Sequence, residues 1–397
     1  MTLDRKQAGP TTVIHGAGEL GGKGEGLLLM DQIDLQRAHK LKTHIITSGF
    51  YERYRDAGCV NKEDEERLRQ IHASFSRTPI GVRASEKYEN DPMRATSGIS
   101  SSYMLPNRHR ERDQRFSQFL RTLRLIYDKY AARPMAPGER EDVLAVLVNP
   151  IPGVASETRA GSMFYPMSSG VADSVFKYPL TVEDGPQDPS EGFARVAFGH
   201  GYGVVLDAFE VIPMATVCNP LNPGLIGNQR YFYGIPLVDE PTLTDCEMST
   251  LSLLNMSFAD PKHSRWFQDG RNRVNFERLI MEDSLNYRSD LEATMERLHK
   301  IDSDFQIEFT WNVVDGKGAL HIVQFKRLRS ADFSRIDIPA FDRQSLIATD
   351  QFQGHGVVEN IRSAVVINPF AYNEKLYDRV LDQLASFNDQ MKDQGER

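Results

Sequence analysis

The sequence predicts an α+β fold built from more than one packed unit. Segments with the spacing of amphipathic helices alternate along the chain with short β-branched or alternating runs, and no internal repeat is present. The length of 397 residues exceeds the size at which one hydrophobic core usually keeps growing, so two or three units are expected. A hydrophobic content of 40% is enough to fill their cores.

Seven stretches are predicted to be strands because they are rich in β-branched residues or alternate in polarity. They are "HIIT" at 44, "PIGVR" at 79, "VLAVLVN" at 143, "RVAFG" at 195, "QIEFTWNV" at 306, "ALHIVQF" at 319 and "SAVVIN" at 363. Asp315 and Gly316 lie between the fifth and sixth of these stretches. This dipeptide suits a turn with positive φ, so 306–325 is predicted to form a β-hairpin.

Three helices are predicted, at 110–131, 276–301 and 371–391, because their apolar residues recur at steps of three and four. Two segments rich in turn-forming and polar residues, 178–192 and 334–356, are interpreted as long loops. The second of these loops suggests a domain boundary near residue 335.

Charge and composition argue against several classes of protein. The net charge of −8 is unlike that of a sequence-independent nucleic-acid binder, which needs a basic face. The apolar runs are too short to span a bilayer, and the amino terminus lacks the apolar core of a signal peptide. The three cysteines are far apart, which indicates neither a disulfide framework nor a zinc site. We therefore expect a cytoplasmic protein with no nucleic-acid or membrane partner.

The glycine-rich stretch "HGAGELGGKGEGLLLMDQ" at 15–32 has two readings. Glycines allow backbone N–H groups to approach an anion, and Lys23 near the start of a helix can reach a phosphate. The spacing is not that of a P-loop, however. Taken alone, the stretch is better read as the glycine-rich start of a helix.

Two further stretches carry polar residues suited to phosphate and metal. Arg83 ends a predicted strand and precedes a Ser/Gly-rich loop, so it is a candidate for bidentate phosphate binding or else a surface arginine. Glu308 and Gln324 lie on the two strands of the predicted hairpin. If they share a cleft, their oxygens suit Mg²⁺ held mainly by nucleotide phosphates, whereas the alternative is two solvated side chains.

Taken in order, these stretches resemble the nucleotide-binding domain of the pyruvate phosphate dikinase and phosphoenolpyruvate synthase family. The matching segments are "GGKGEGL", "VRASEKYENDPMRATSGISSSYMLPN", "SSGVADSVF", "ARVAFGHGYGVV" and "QIEF…HIVQFK", within residues 12–328. The resemblance implies a two-lobed ATP-grasp-like fold with a C-terminal α/β extension. Its N-terminal lobe would be 1–135, its second lobe 136–335 and the extension 336–397.

The resemblance also implies a site that binds ATP and Mg²⁺ between the two lobes. Lys23 and Arg83 match the family's phosphate-binding and catalytic lysine and arginine, Glu308 its metal-binding glutamate and Gln324 its nucleotide-site glutamine. Gln324 is also a candidate ligand of the metal. Such cations and a metal are what phosphoryl transfer needs, because charge spreads over the transferred phosphoryl oxygens.

Three positions depart from the family pattern. Gln306 replaces an acid, Lys326 replaces an arginine, and Tyr202 replaces a glutamate. Gln306 and Lys326 remain candidate nucleotide-binding residues, but each change removes charge or bidentate geometry.

The family's phosphohistidine motif is not found around any of the ten histidines, including His200, His321 and His355. Its pyruvate-binding domain does not fit within this length. The chain is therefore expected not to phosphorylate pyruvate by itself.

Two functions follow from these residues. One is an ATP-dependent phosphotransferase acting on a small molecule or on a histidine of a phosphohistidine-domain partner. The other is a catalytically silent ATP-binding module for regulation or assembly. A Rossmann-type dehydrogenase is disfavoured, because the glycine fingerprint and the ribose-binding acid are not both present.

Overall fold

The computed structural model describes most of the chain up to residue 328 and a short part beyond it. The described residues are 11–87, 101–133, 143–175, 181–182, 185–186, 192–205, 214–215, 229, 231–241, 251–264, 276–280, 282–328, 379–380 and 383–387. Contacts divide the chain into a large unit, Met1–Phe333 with Arg343–Gly354, and a small unit, Ser334–Asp342 with His355–Arg397. The predicted strand at 363 lies outside the described residues, as does most of the predicted helix at 371–391, of which 379–380 and 383–387 are helical.

The strands of the large unit are β1 (Thr12–His15), β2 (Ala38–Lys40), β3 (Thr43–Ile46), β4 (Ile80–Glu86), β5 (Ser102–Leu105), β6 (Leu144–Pro150), β7 (Val154–Thr158), β8 (Gly161–Tyr165), β9 (Ser168–Asp173), β10 (Thr181–Val182), β11 (Gly185–Pro186), β12 (Phe193–Ala197), β13 (Met214–Ala215), β14 (Tyr231–Pro236), β15 (Ser252–Asn255), β16 (Phe305–Val314) and β17 (Lys317–Arg327). The α-helices are α1 (Gly21–Asp31), α2 (Ser48–Ala57), α3 (Lys62–Ala73), α4 (Arg112–Ala131), α5 (Tyr202–Val205), α6 (Pro261–Ser264), α7 (Glu277–Ile280) and α8 (Tyr287–Leu298). Short 3₁₀ turns occur at Met256–Phe258 and Ser284–Asn286. The predicted α+β class is confirmed.

The first sheet has five strands in the order β1-β3-β6-β4-β5, with β1 parallel to β3 and the other pairs antiparallel. One face of this sheet packs against α2, α3 and α4 in a shared apolar core. Successive residues of a strand point to opposite faces. Ile80, Val82 and Ala84 of β4 therefore enter that core, and Arg83 and Ser85 leave the sheet on the other side.

The second sheet has six strands in the order β13-β12-β9-β16-β17-β2. The predicted hairpin is confirmed, since β16 and β17 pair through a two-residue turn in which Asp315 and Gly316 have φ of 51° and 75°. Apolar residues of β16 join the core that contains α8, so alternate residues such as Glu308 lie on the opposite face. A four-stranded sheet, β15-β14-β8-β7, and the β10-β11 ladder complete the described strands.

The helix predicted at 110–131 is confirmed by α4, whereas one continuous helix at 276–301 is wrong. Asp283, Leu285 and Asn286 have φ of 50°, 61° and 59°, in the left-handed region that interrupts a right-handed helix. Asp283 Oδ1 also accepts the backbone N–H groups of Arg288 and Ser289, so it caps the first turn of α8. The segment is therefore two helices, α7 and α8, joined by a turn.

None of the described helices is both long and apolar enough to cross a bilayer.

Helix α1 lies against strands of both large sheets, and its glycines make this possible. It contacts β4 of the first sheet and β17 of the second. Gly21 begins the helix with φ of 68°, and a Cβ there would stand 2.1 Å from the Ser85 carbonyl oxygen. A Cβ on Gly26 would stand 2.0 Å from the carbonyl oxygen of Phe325. These glycines are thus required for the close packing of α1, independently of any ligand.

We expect Gly26→Ala to lower the free energy of unfolding by about 1–3 kcal/mol, because the added methyl group overlaps a backbone carbonyl of β17. Urea denaturation followed by circular dichroism measures the change. Glu25→Ala, at the exposed neighbouring position of the same helix, is the matched control. A Gly26→Ala protein as stable as the unaltered protein would contradict this packing.

Candidate functional site

The centre of the candidate site is the guanidinium group of Arg83. Its Nη2 donates one hydrogen bond to Glu308 Oε2 and another to Gln324 Oε1, each over 2.8 Å. The side chains of Arg83 and Glu308 are 10% and 21% exposed. The structure therefore brings together three of the residues selected from the sequence, one from the first sheet and two from the second.

Lys23 lies beside this centre. It is the third residue of α1, it is 5% exposed, and its Nζ donates to the carbonyl oxygen of Ala84 over 3.0 Å. The start of α1 is held on the same strand, because Ser85 Oγ accepts the N–H of Gly24 and donates to the carbonyl of Leu20. A helix therefore begins in the glycine-rich stretch, and it carries Lys23 to the residue next to Arg83.

Glu308 and Gln324 are directly opposite each other on the hairpin because of a β-bulge. The pairing of β16 with β17 shifts between Glu308 and Phe309, so that Phe309 faces Ile322 while Glu308 faces Gln324. Val323 is the extra residue between the two pairs. The bulge places both polar side chains on the same face, toward Arg83.

Gln306 and Lys326 form the next pair along the hairpin, and the described hydrogen bonds of Arg83 go to Glu308 and Gln324. Gln306 Nε2 instead donates to Asp173 Oδ1 of β9 over 2.7 Å. Tyr202 begins α5 and packs edge-on against Tyr233 with ring centroids 5.0 Å apart.

His200 is a site residue that the sequence did not identify. It follows β12 in a segment held by two hydrogen bonds, from Ser169 Oγ to the Gly199 carbonyl and from the His200 N–H to the Tyr233 carbonyl, each over 2.8 Å. Gly199 has φ of 85°, which favours glycine. The Nδ1 atom of His200 is buried and has no hydrogen-bond partner within the described part of the chain.

The charges of the Arg83–Glu308 pair act on His200. Burial and, to a smaller extent, the Arg83 charge lower the pKa of His200 from 6.5 to about 4, against the Glu308 charge, which raises it. The imidazole is therefore neutral at pH 7. The flanking glycines in "FGHGYG" were the available sequence signal, because they allow a histidine backbone to approach a sheet closely.

The geometry suits an anionic ligand accompanied by a cation. Arg83 Nε and Nη1 make no hydrogen bond to any described residue, and a guanidinium edge can hold a phosphate. The oxygens of Glu308 and Gln324 converge on one positively charged nitrogen, and carboxylate and amide oxygens also suit Mg²⁺. Within the ranges described, no three His, Cys, Asp or Glu side chains form a metal cage.

Comparison with known proteins gives no family model that matches this chain and no matching relative among curated proteins.

We expect the His200 imidazole to titrate near pH 4 and to remain neutral at pH 6, as nuclear magnetic resonance of its ring nitrogens would measure. Glu308→Gln should lower this pKa, because it removes the charge that raises it, and Arg83→Met should raise it. Since the folded-state pKa lies below 6.5, the stability from neutral His200 is present above pH 6.5 and is lost as pH falls toward 4. A titration near pH 6.5 that neither substitution shifts would show that the three groups are not neighbours.

Proposed function

We propose that the large unit binds ATP with Mg²⁺ between its first and second sheets, in the manner of an ATP-grasp fold, and transfers a phosphoryl group. The observation that carries the proposal is the junction of Arg83 with Glu308 and Gln324, which unites phosphate- and metal-binding side chains from two sheets. The order of the sequence motifs adds support, since the same residues match the dikinase-type pattern.

Lys23 and Arg83 are the proposed phosphate-binding residues. Lys23 lies in the first turn of α1, where backbone N–H groups have no partner within the helix and the helix dipole favours an anion. Arg83 is one residue from the carbonyl that Lys23 contacts, so both cations can serve one polyphosphate chain. Fixed cations of this kind stabilise the charge that develops during phosphoryl transfer.

Glu308 and Gln324 are the proposed protein ligands of Mg²⁺. Mg²⁺ in phosphate sites keeps one or two protein oxygens and takes other ligands from phosphates and water. The two side-chain oxygens already lie 2.8 Å from the same nitrogen of Arg83, so the donor set fits a cation. When bound, the ion would neutralise phosphate charge and let Arg83 turn from Glu308 toward a phosphate.

The proposed acceptor is a small molecule or a histidine of a partner protein. The family's own phosphohistidine motif is not found in this sequence.

A silent ATP-binding module is the second candidate, and one observation favours it. Arg83 is already neutralised by Glu308, while Gln306 and Lys326 lack the charge or the geometry of the family's residues.

We expect ATP with Mg²⁺ to raise the melting temperature of the unaltered protein, because a ligand that binds only the folded state stabilises it. Lys23→Ala and Arg83→Ala should each weaken ATP binding by about 10- to 100-fold, the effect of losing one charged hydrogen bond of roughly 1.5–3 kcal/mol. Thermal shift at several ATP concentrations measures this. Arg67→Ala removes an exposed arginine of α3 and is the matched control. Normal ATP stabilisation in both site variants would refute the assignment.

We expect a phosphoryl acceptor, or a protein with a phosphorylatable histidine, to raise AMP or ADP formation well above the basal rate. Glu308→Gln should suppress this increase by 100-fold or more (on the order of 3 kcal/mol), because it removes the carboxylate proposed to hold Mg²⁺. Chromatography of the nucleotides measures turnover, with Glu25→Gln as the exposed control. Tight ATP binding that no acceptor or extract fraction converts into turnover would favour the silent module.

A further inference from the structure

The hydroxyl group of Thr310 on β16 is buried and has no hydrogen-bond partner within the described part of the chain. Thr310 is 8% exposed. Three other polar side chains on this face of β16 do form hydrogen bonds to described residues, namely Gln306, Glu308 and Asn312. A buried polar group without a partner costs free energy, so the Thr310 hydroxyl indicates a place where a ligand can supply one.

Two histidines continue this row toward the last strand of the second sheet. Thr310 pairs with His321 of β17, and His321 pairs with His39 of β2. The two imidazole rings lie 5.2 Å apart, centroid to centroid. The Ala319 carbonyl acts on the His321 ring, but the buried Nδ1 atom has no partner with hydrogen-bond geometry among the described residues. Directly opposite residues of an antiparallel pair have Cβ atoms about 5 Å apart, so Thr310 and His321 can contact one ligand.

The chemistry of this row suits hydroxyl groups rather than phosphate. Burial lowers the pKa of His39, and burial together with the neighbouring His39 lowers the pKa of His321 to about 4, so both rings are neutral at pH 7. A neutral imidazole and a threonine hydroxyl each donate and accept hydrogen bonds, as a sugar hydroxyl does. The backbone at Thr310 lies between two paired strands, β9 and β17, so side-chain atoms are what a ligand meets here.

This neutral row lies directly beside the proposed phosphate and metal site. Thr310 is two residues after Glu308, so their side chains leave the same face about 7 Å apart along the strand. On β17, the bulge at Val323 keeps His321 on the same face as Gln324. A nucleotide joins a charged phosphate chain to a neutral sugar that carries hydroxyl groups, and the two rows match this division.

We propose that Thr310 and His321 bind the ribose hydroxyl groups of the nucleotide. Thr310 Oγ1 and His321 Nδ1 each exchange a hydrogen bond with a ribose hydroxyl, which gives both buried atoms the partner that they lack. This inference rests on the proposed function, and it assigns the part of the nucleotide that the phosphate- and metal-binding residues leave without a site.

An ATP analogue without ribose hydroxyls tests the proposal in the full chain. Isothermal titration calorimetry in Mg²⁺ measures the affinities for ATP and for 2′,3′-dideoxy-ATP, and their ratio is the hydroxyl preference. The unaltered protein should prefer ATP by about 10-fold or more. Thr310→Val and His321→Phe should each reduce this preference by about 3- to 10-fold, the effect of losing one neutral hydrogen bond, and should leave the affinity for dideoxy-ATP within about twofold.

The stability of the ligand-free protein separates ligand binding from a structural role. Thr310→Val removes a buried hydroxyl without a described partner and keeps a similar shape, so the melting temperature without nucleotide should stay the same or rise. A fall in that melting temperature would show that the hydroxyl stabilises the fold, which contradicts the proposal.

Two further variants serve as controls. His321→Asn keeps a polar atom near the position of Nδ1, so it should retain a larger hydroxyl preference than His321→Phe. Thr78→Val makes the same change as Thr310→Val at an exposed position, and it should leave the preference as in the unaltered protein.

The outcomes distinguish this inference from the proposed function. An unaltered protein that binds ATP and dideoxy-ATP equally well overturns the ribose site alone, and so does a hydroxyl preference that both Thr310→Val and His321→Phe retain. An unaltered protein that does not bind ATP overturns both proposals. If His321→Phe does not fold, Thr310→Val decides: a folded Thr310→Val protein with the full preference overturns the inference.

Discussion

The hydrogen bonds from Arg83 to Glu308 and Gln324 are the interaction on which the proposed site depends, because they join two sheets through charged and polar groups. Removing one partner of such a pair leaves the other charge in a partly desolvated place, which costs more than the pair itself contributes. The 21% exposure of Glu308 moderates this cost through solvent screening. The junction is therefore a poor source of stability, and a ligand that supplied new partners to Arg83 and Glu308 would offset this cost.

The close approach of α1 serves the same junction. Helices without side chains at the contact can lie against a strand at backbone distance, and Gly21 and Gly26 give α1 this property at two different sheets. The result is that Lys23 reaches the Ala84 carbonyl without crossing a layer of side chains. Close packing and the proposed phosphate binding both favour glycine in this stretch, which explains why the glycines alone did not distinguish the two readings.

The sequence predicted most local features, and the order of its motifs brought Arg83 together with Glu308 and Gln324, but strand order and register were not predicted. Helix α4 and the β16-β17 hairpin follow from periodicity and from the turn chemistry of adjacent residues. The break at Asp283 was missed because its left-handed residues include Leu285, whose type does not indicate such a conformation. Asp173 and Gln306 are 133 positions apart, and their contact depends on strand order and register, which no spacing in the sequence reveals. His200 was missed for the same reason.

The bulge at Val323 determines which side chains of the hairpin face Arg83. Counted from the turn without the extra residue, Glu308 would face Val323, and the amide of Gln324 would point into the apolar core. The one extra residue therefore decides whether Gln324 lies beside Glu308 on the face toward Arg83. An insertion or deletion between the turn and position 323 that changes this count would turn the Gln324 side chain away from Arg83. The length of this segment is therefore a structural constraint in its own right, in addition to the core packing of Leu320 and Ile322.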